Sequence, residues 1–366
     1  MKRRLIKAGV LGAVFFIALV VGSLVINRGT DDKIVDMGAP SIPRISFLYG
    51  EQTVNPLCGY ARDMDITTMR DTITPLGQDG ALSMKIEGDA GQVRDIRYEV
   101  YSLDGKETYA EGKADVSENG DAAVLALGNA LTGALEEGVL KVILDMESGD
   151  TVGYYTRVIL PEELVASECL SFAQDFHAKA LAQDKSAGLE SYLEPGDASD
   201  NSTYQTVNIH SDITHILWGN LSPQVLGDVE WHIQESNSVY TSILAKYQTA
   251  CKDENGESGV YNVREFFRVR SVKGTIYLLD YNRNMEKVFA GNEQSLSQSG
   301  ILLGIASGDI QYKTDKDETM VAFVQERELW LYDTKASEFT QIFSFADQEG
   351  ADVRSRNDRH NVRITG

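Results

Sequence analysis

Residues 8–26 form an uncharged run of nineteen behind a start that carries Lys2, Arg3, Arg4 and Lys7. Phe15, Phe16, Ile17, Leu19, Val20 and Val21 make it strongly apolar. At ~1.5 Å of rise per residue such a helix reaches ~28 Å, close to the hydrocarbon thickness of a bilayer. A helix also satisfies its own backbone hydrogen bonds, as the membrane interior demands. Basic residues crowd the first end, whereas Arg28 is followed by Asp31 and Asp32; this bias keeps the N-terminus cytoplasmic and exports the rest. A secretory signal peptide shares the basic start and apolar core. Here the run exceeds the usual core, and Gly22 and Ser23 lead into more apolar chain instead of a small-x-small cleavage site. The reading is therefore an uncleaved single-pass anchor over residues 1–28, with the membrane as the first partner. Cys58 lies too far beyond the run for lipid attachment.

The exported part is acidic. Setting aside the five basic residues of 1–28 leaves 29 basic against 55 acidic residues, a net charge of −26. Phosphate recognition depends on clustered Lys and Arg, so this field excludes DNA and RNA and disfavours anionic membrane surfaces. Solubility outside the cell accounts for the acidity without a cation-binding role. Cys58, Cys169 and Cys251 are widely spread, with no C-x-x-C pair, and make neither a disulfide framework nor a zinc site. One disulfide is compatible with export, and the sequence does not choose its pair. Cys169 falls on the expected buried face of a helix, where cysteine behaves as a small hydrophobe.

A chain of 366 residues, 42% hydrophobic, has the length of two or three domains with packed cores. Residues 29–43, with Gly29, Asp31, Asp32, Gly38, Pro40 and Pro43, have the composition of a linker. Over 44–160 short alternating runs are separated by turns. Ile96, Tyr98 and Val100 alternate before Asp104-Gly105, and 139–146 is mirrored by 152–160 around Ser148-Gly149. The expectation is an antiparallel β-sandwich of immunoglobulin size, without the Cys–Trp–Cys pattern of antibody domains. At Pro161 the period changes. Proline at a first helical position, Glu162 and Glu163 at the positive helix end, and Val165, Cys169, Phe172 and Phe176 predict an amphipathic helix. A shorter helical stretch surrounds Leu189, Tyr192 and Leu193. Strands follow over 229–233, 239–250, 260–272 and 275–281, with turns at Asn255-Gly256 and Lys273-Gly274. The fold class expected is mainly β, with an α+β middle domain over 161–292 and a last β segment over 293–366.

The helical hairpin followed by a four-strand meander, with Phe172-Ala173, Ala180-Leu181 and Tyr192-Leu193-Glu194-Pro195 in helix positions, resembles the cone-shaped fold of the nuclear transport factor two-like and ketosteroid isomerase-like superfamily. That resemblance implies a fold that serves both enzymes and non-catalytic modules. The isomerases place a carboxylate base beside tyrosine donors inside the cone, and no Asp or Tyr of this sequence is aligned with those roles. In the last segment, 320–324, Glu328-Leu329-Trp330-Leu331-Tyr332-Asp333 and 339–345 read as three strands. They resemble one blade of a TolB-like or WD-type β-propeller. Closed propellers need at least four blades of ~40–50 residues, so the segment is read either as the start of a longer propeller or as a small sheet on the preceding domain. The build as a whole resembles bacterial membrane-anchored modular surface proteins.

Candidate chemistry is sparse. His210 and His215 with Asp212, and His232 beyond, are the nearest approach to a metal set, without H-E-x-x-H or i,i+4 spacing. Asp315, Asp317 and Glu318 lack the glycine and terminal glutamate of an EF-hand and read as a solvated turn. Trp218, Trp231 and Trp330, with Tyr154, Tyr155, Tyr240, Tyr247 and Tyr261, read as core rather than as a sugar-stacking surface. Asn201-Ser202-Thr203 and Asn220-Leu221-Ser222 match the glycosylation pattern, which matters only in a eukaryotic secretory route. No G-x-S-x-G elbow, S-x-x-K pair or P-loop is present. No catalytic residue, metal ligand or cofactor is therefore assigned. The reading is a non-enzymatic extracytoplasmic binding or assembly module with a protein or polysaccharide partner. The alternatives are a hydrolase of surface polymer, which requires two carboxylates within ~5–10 Å in a pocket, and a sensory ectodomain that signals through a partner.

Overall fold

The computed structural model describes residues 42–344 and 363–364, without 78, 89–91, 118, 129–130, 132–136, 161–164, 197–200, 253–257, 290, 292–294, 298–299, 304–309 and 326–327. The expected anchor at 8–26, residues 29–41 of the expected 29–43 linker, the Pro161 helix start and the Asn255-Gly256 turn lie outside the described residues. No helix among the described residues is long and apolar enough to cross a membrane.

The protein is mainly β. The first strands are β1 (Arg44–Tyr49), β2 (Gln52–Leu57), β3 (Ile73–Pro75), β4 (Ala81–Glu87), β5 (Val93–Tyr101), β6 (Thr108–Lys113), β7 (Asp115–Val116), β8 (Ala122–Ala126), β9 (Glu137–Met146) and β10 (Thr151–Ile159). They form two five-stranded sheets, ordered β2-β1-β4-β8-β7 and β3-β10-β9-β5-β6. Strand period makes the core: Leu82, Met84 and Ile86 of β4 are buried and alternate with Ser83, Lys85 and Glu87, while Ile96, Tyr98 and Val100 of β5 face the same cluster. Both hairpins expected from Asp104-Gly105 and Ser148-Gly149 are present, with Gly105 at φ +70° and Gly149 at φ +92°.

β10 departs from alternation, with Val152, Gly153, Tyr154, Tyr155 and Thr156 all buried in succession. The reason is a second cover. The chain after β2 pairs with the edge of β10, where Tyr60 and Gly153 exchange backbone hydrogen bonds of 2.9 Å each way, and its following residues cover Tyr155. Tyr60 meets Tyr155 edge-on with ring centroids 6.0 Å apart, and the Tyr155 hydroxyl accepts from the Met64 N–H at 3.2 Å.

The middle of the chain builds α1 (Ala166–Leu181), a 3-10 turn at Leu189–Tyr192, β11 (Thr206–Asn208), the single turn α2 (Ile213–Ile216) and the long strands β12 (Gln224–Ser236), β13 (Thr241–Lys252), β14 (Ser258–Val272) and β15 (Thr275–Lys287). The sheet order is β11-β15-β14-β13-β12, so the last four strands are an antiparallel meander. β15 runs six residues past the expected end at 281, paired over that stretch with Tyr261–Phe266 of β14, and Asn282–Asn284 pair also with β11, which the sequence reading missed. Lys273 and Gly274, at φ +50° and +80°, make the two-residue turn between β14 and β15. Helix α1 lays Cys169, Ala173, Phe176, His177 and Ala180 against the sheet. A separate four-stranded sheet of β18 (Tyr312–Thr314), β19 (Met320–Gln325), β20 (Glu328–Asp333) and β21 (Glu338–Phe343) packs Phe323 and Trp330 on Phe289. The short pair β16 (Leu296–Ser297) and β17 (Gly300–Ile301) lies between the two.

The first two sheets and the meander share one buried apolar cluster. β12 lies along β2 and β3, and polar contacts fix the junction. Arg44 pairs with Glu230 at 3.0 Å, Arg157 pairs with Glu137 at 3.0 Å while donating to the Gln234 carbonyl, and Asn55 bonds both sides.

Candidate functional site

Charge inside the meander is gathered on one carboxylate. β14 turns Tyr261, Val263, Phe267 and Val269 inward, and Glu265 occupies the same phase with 1% exposure. Its Oε2 contacts His177 Nδ1 at 2.5 Å and accepts from the Tyr247 hydroxyl at 3.2 Å; Oε1 accepts from the Tyr281 hydroxyl at 2.7 Å. Burial opposes ionisation of Glu265, but the charges of His177 and Arg283 and the hydrogen bonds outweigh it and hold the carboxyl below its ordinary value. Burial, reinforced by the Glu265 charge, pushes both tyrosines well above theirs, so they remain donors.

Arg283, fully buried on β15, supplies the nearby positive charge. Its NH1 donates to the Ile216 carbonyl at 2.9 Å and its NH2 to the His215 carbonyl at 2.7 Å, which satisfies the last carbonyls of α2. The guanidinium lies 3.8 Å from the centre of the Trp218 ring. Aromatic rings fill the space around the carboxylate. Phe176 meets Tyr281 at 5.1 Å and Phe267 at 5.8 Å, and the His177 ring stands edge-on to Tyr247 at 4.8 Å and to Trp231 at 5.5 Å. Among the described residues the hydrogen-bond partners of the Glu265 carboxylate are His and Tyr side chains. A carboxylate held in this way is a packed structural centre; general acid or base work needs a path to substrate.

The sequence reading named none of Glu265, His177 or Arg283 as a site. The signal was present: each occupies the apolar phase of its element, Glu265 between Val263 and Phe267, Arg283 between Tyr281 and Met285, and His177 beside Phe176.

The histidines weighed for a metal are not brought together. His210 Nδ1 sits 2.8 Å from the Glu194 carbonyl, and His215 Nδ1 sits 2.9 Å from Asp212, the residue that caps α2. His232 lies on β12, the strand that runs along β2 and β3, and no group of three metal-ligating side chains occurs among the described residues. Asp315 caps its own turn, accepting from Thr319 N at 2.6 Å and Met320 N at 2.9 Å, as a solvated turn requires. Trp218, Trp231, Trp330, Tyr154, Tyr155, Tyr247 and Tyr261 are buried, in agreement with a core role, whereas Tyr240 is only half-buried, with Arg268 5.0 Å from its ring centre.

The junction itself contains a cleft of about 60 Å³. The sandwich contributes Cys58, Tyr60, Asp71, Thr72 and Tyr155, with Pro56, Leu57 and Met69, and the meander contributes His232 and Lys246. His232 is 5% exposed, and its Nε2 makes no hydrogen bond; the Glu230 carboxylate at 3.7 Å is too distant for one. Burial lowers the His232 pKa to about 4 against the pull of Glu230, with Lys246 and Arg44 adding to the depression. None of the three cysteines is in a disulfide. No protein-family model matches the chain, and no curated protein matches its sequence.

Proposed function

We propose that the chain is a non-enzymatic, membrane-anchored extracytoplasmic module, exposing a two-part head for binding or assembly with a protein or polysaccharide partner. The observation that carries this reading is the closure of the meander around Glu265. In an enzyme of the cone-shaped class the interior carboxylate faces substrate; here His177, Tyr247, Tyr281 and the surrounding rings occupy that space. The order of α1, the 3-10 turn and the meander supports a nuclear transport factor two-like cone, and the four-stranded sheet β18–β21 supports a propeller-like blade. Export rests on the apolar run at 8–26 and the basic residues before it.

The test joins location to chemistry. Protease added to intact cells should degrade the head while leaving cytoplasmic markers whole. Purified full chain in detergent micelles should retain cell-envelope polymer on a column without releasing new reducing ends or peptide fragments. Protection of the head in intact cells would refute export, and polymer cleavage abolished by Glu265→Gln would replace the binding module with the hydrolase.

A further inference from the structure

We propose, on the reading of the head as a binding module, that the outward face of β14 and β15 takes an acidic polysaccharide, one whose sugars carry carboxylates.

The chain has 55 acidic against 34 basic residues, yet the outward positions of β14 hold Arg264, Arg268 and Arg270 and no acidic residue. At ~3.4 Å per residue the three arginines span ~20 Å of strand. Arg264 and Arg270 are exposed, and neither makes a hydrogen bond or ion pair among the described residues. The sheet offers them no anion. Arg264 stands between Lys246 of β13, a like charge, and Asn284 of β15, while Arg270 stands opposite Tyr277, beyond the end of β13. Arg268 between them is fixed in place, its Nε donating to Ser242 Oγ at 3.2 Å and its guanidinium 5.0 Å from the Tyr240 ring centre and 5.7 Å from that of Phe266. The neighbouring acids serve Arg268, with Glu235 at 3.9 Å and Asp280 directly across β15, and Glu286 lies opposite Asn262.

The chemistry of the face selects the partner. A guanidinium fork takes a carboxylate through two parallel N–H bonds. Tyr277 is 50% exposed, and half-buried Phe266 lies between Arg264 and Arg268 in the same row, so flat apolar surface for the C–H face of a sugar ring adjoins the charges. Asn282 and Asn284 follow on β15, opposite Phe266 and Arg264, and their amides donate and accept as sugar hydroxyls require. An acidic peptide would use the arginines and leave ring and amide surface idle. A nucleic-acid footprint gathers ~6–10 phosphate contacts, more than three arginines supply. The acidic remainder of the chain acts weakly here, because salt screens exposed charges beyond ~8 Å under physiological conditions.

The full chain in non-ionic detergent micelles is titrated with polygalacturonate, with its methyl ester, which keeps the sugars and removes the charge, and with poly-glutamate, which keeps the charge without the sugars. Expected is binding of polygalacturonate that weakens as salt rises, with the other two polymers bound at least about tenfold more weakly. Arg264→Gln combined with Arg270→Gln should weaken polygalacturonate binding about tenfold. Lys185→Gln combined with Lys316→Gln removes the same charge from exposed positions elsewhere and should leave binding unchanged. All four side chains are exposed, so both double variants should keep the wild-type thermal midpoint. Equal weakening by the two double variants, or equal affinity for the methyl ester or for poly-glutamate, overturns the proposal. Retention of cell-envelope polymer that the arginine pair does not alter also overturns it, while leaving the binding module standing. A wild-type chain that retains no envelope polymer overturns the module itself, and this partner with it.

Discussion

Asn55 Oδ1 accepts a 2.7 Å hydrogen bond from the backbone N–H of Ile233, and so one side chain of the sandwich closes the ladder edge of the meander. The same amide donates to the Ile73 carbonyl at 2.9 Å and to Thr74 Oγ1 at 2.8 Å, linking β2, β3 and β12. Asn55 is fully buried at φ +50°, a conformation asparagine tolerates better than most residues. Asn55→Ala leaves buried polar groups unpaired on both sides of the junction, each costing ~1–3 kcal/mol. Urea unfolding should show a loss of about 2–4 kcal/mol. The single transition expected of the wild type should also divide into two as the halves uncouple. A midpoint within error of wild type would mean that the junction does not depend on this amide.

Glu265 ties α1 to three strands of the meander through His177, Tyr247 and Tyr281. Glu265→Ala removes the acceptor of all three and leaves Arg283 without its buried counter-charge, a loss of ~3–5 kcal/mol. Glu265→Gln keeps the shape and should be milder. Because the folded carboxyl titrates below its unfolded value, its contribution is present above the unfolded pKa near ~4.3 and disappears as pH falls through the folded value. The acid limb of a stability–pH curve should therefore be shallower in Glu265→Gln. Equal slopes in the two proteins would show that folding does not lower the Glu265 pKa.

Local chemistry was the legible part of this sequence. Asp104-Gly105, Ser148-Gly149 and Lys273-Gly274 mark their turns because left-handed backbone selects such residues, and the alternation of Ile96, Tyr98 and Val100 fixes a buried face. Non-local pairing was not legible: β11 is three residues with no pattern of its own, held by Asn282–Asn284 far along the chain. β10 packs one face in the core and has Tyr155 on the other covered by a segment whose path the sequence does not declare. The polar residues of the centre carry no motif, and their meaning appears only when Glu265 is seen to be held by His177, Tyr247 and Tyr281, with the Arg283 charge nearby. Asn55 was passed over for a similar reason, since its three partners come from two other strands, β3 and β12.

His232 makes the junction sensitive to acid. Burial holds its folded pKa at about 4, against ~6.5 in an unfolded chain. Below ~6.5 the unfolded state takes up a proton that the folded state refuses, so stability declines from there to about 4 and then levels. His232→Gln removes the titration and should flatten this window while leaving the lower limb, where Glu265 acts. A slope unchanged by the substitution would place the proton uptake elsewhere.

Phe289 joins the last sheet to the meander through rings alone. It stands just beyond β15, with edge-on contacts to Trp330 at 5.0 Å, Phe339 at 5.5 Å and Phe323 at 5.6 Å. Among the described residues Phe323, Trp330 and Phe289 form an apolar cluster separate from the main core, with Ile301, Leu303, Val321, Tyr332 and Phe339 packed against it. Replacing a buried Phe by Ala costs ~3–5 kcal/mol, more than a core this small can absorb. Phe289→Ala should consequently make β18–β21 the first region cut in limited proteolysis, while the sandwich and meander survive as one resistant fragment with an unchanged thermal midpoint. If the sheet resists cleavage as well as in the wild type, its stability comes from its own strands, and it is an independent unit rather than an appendage of the meander.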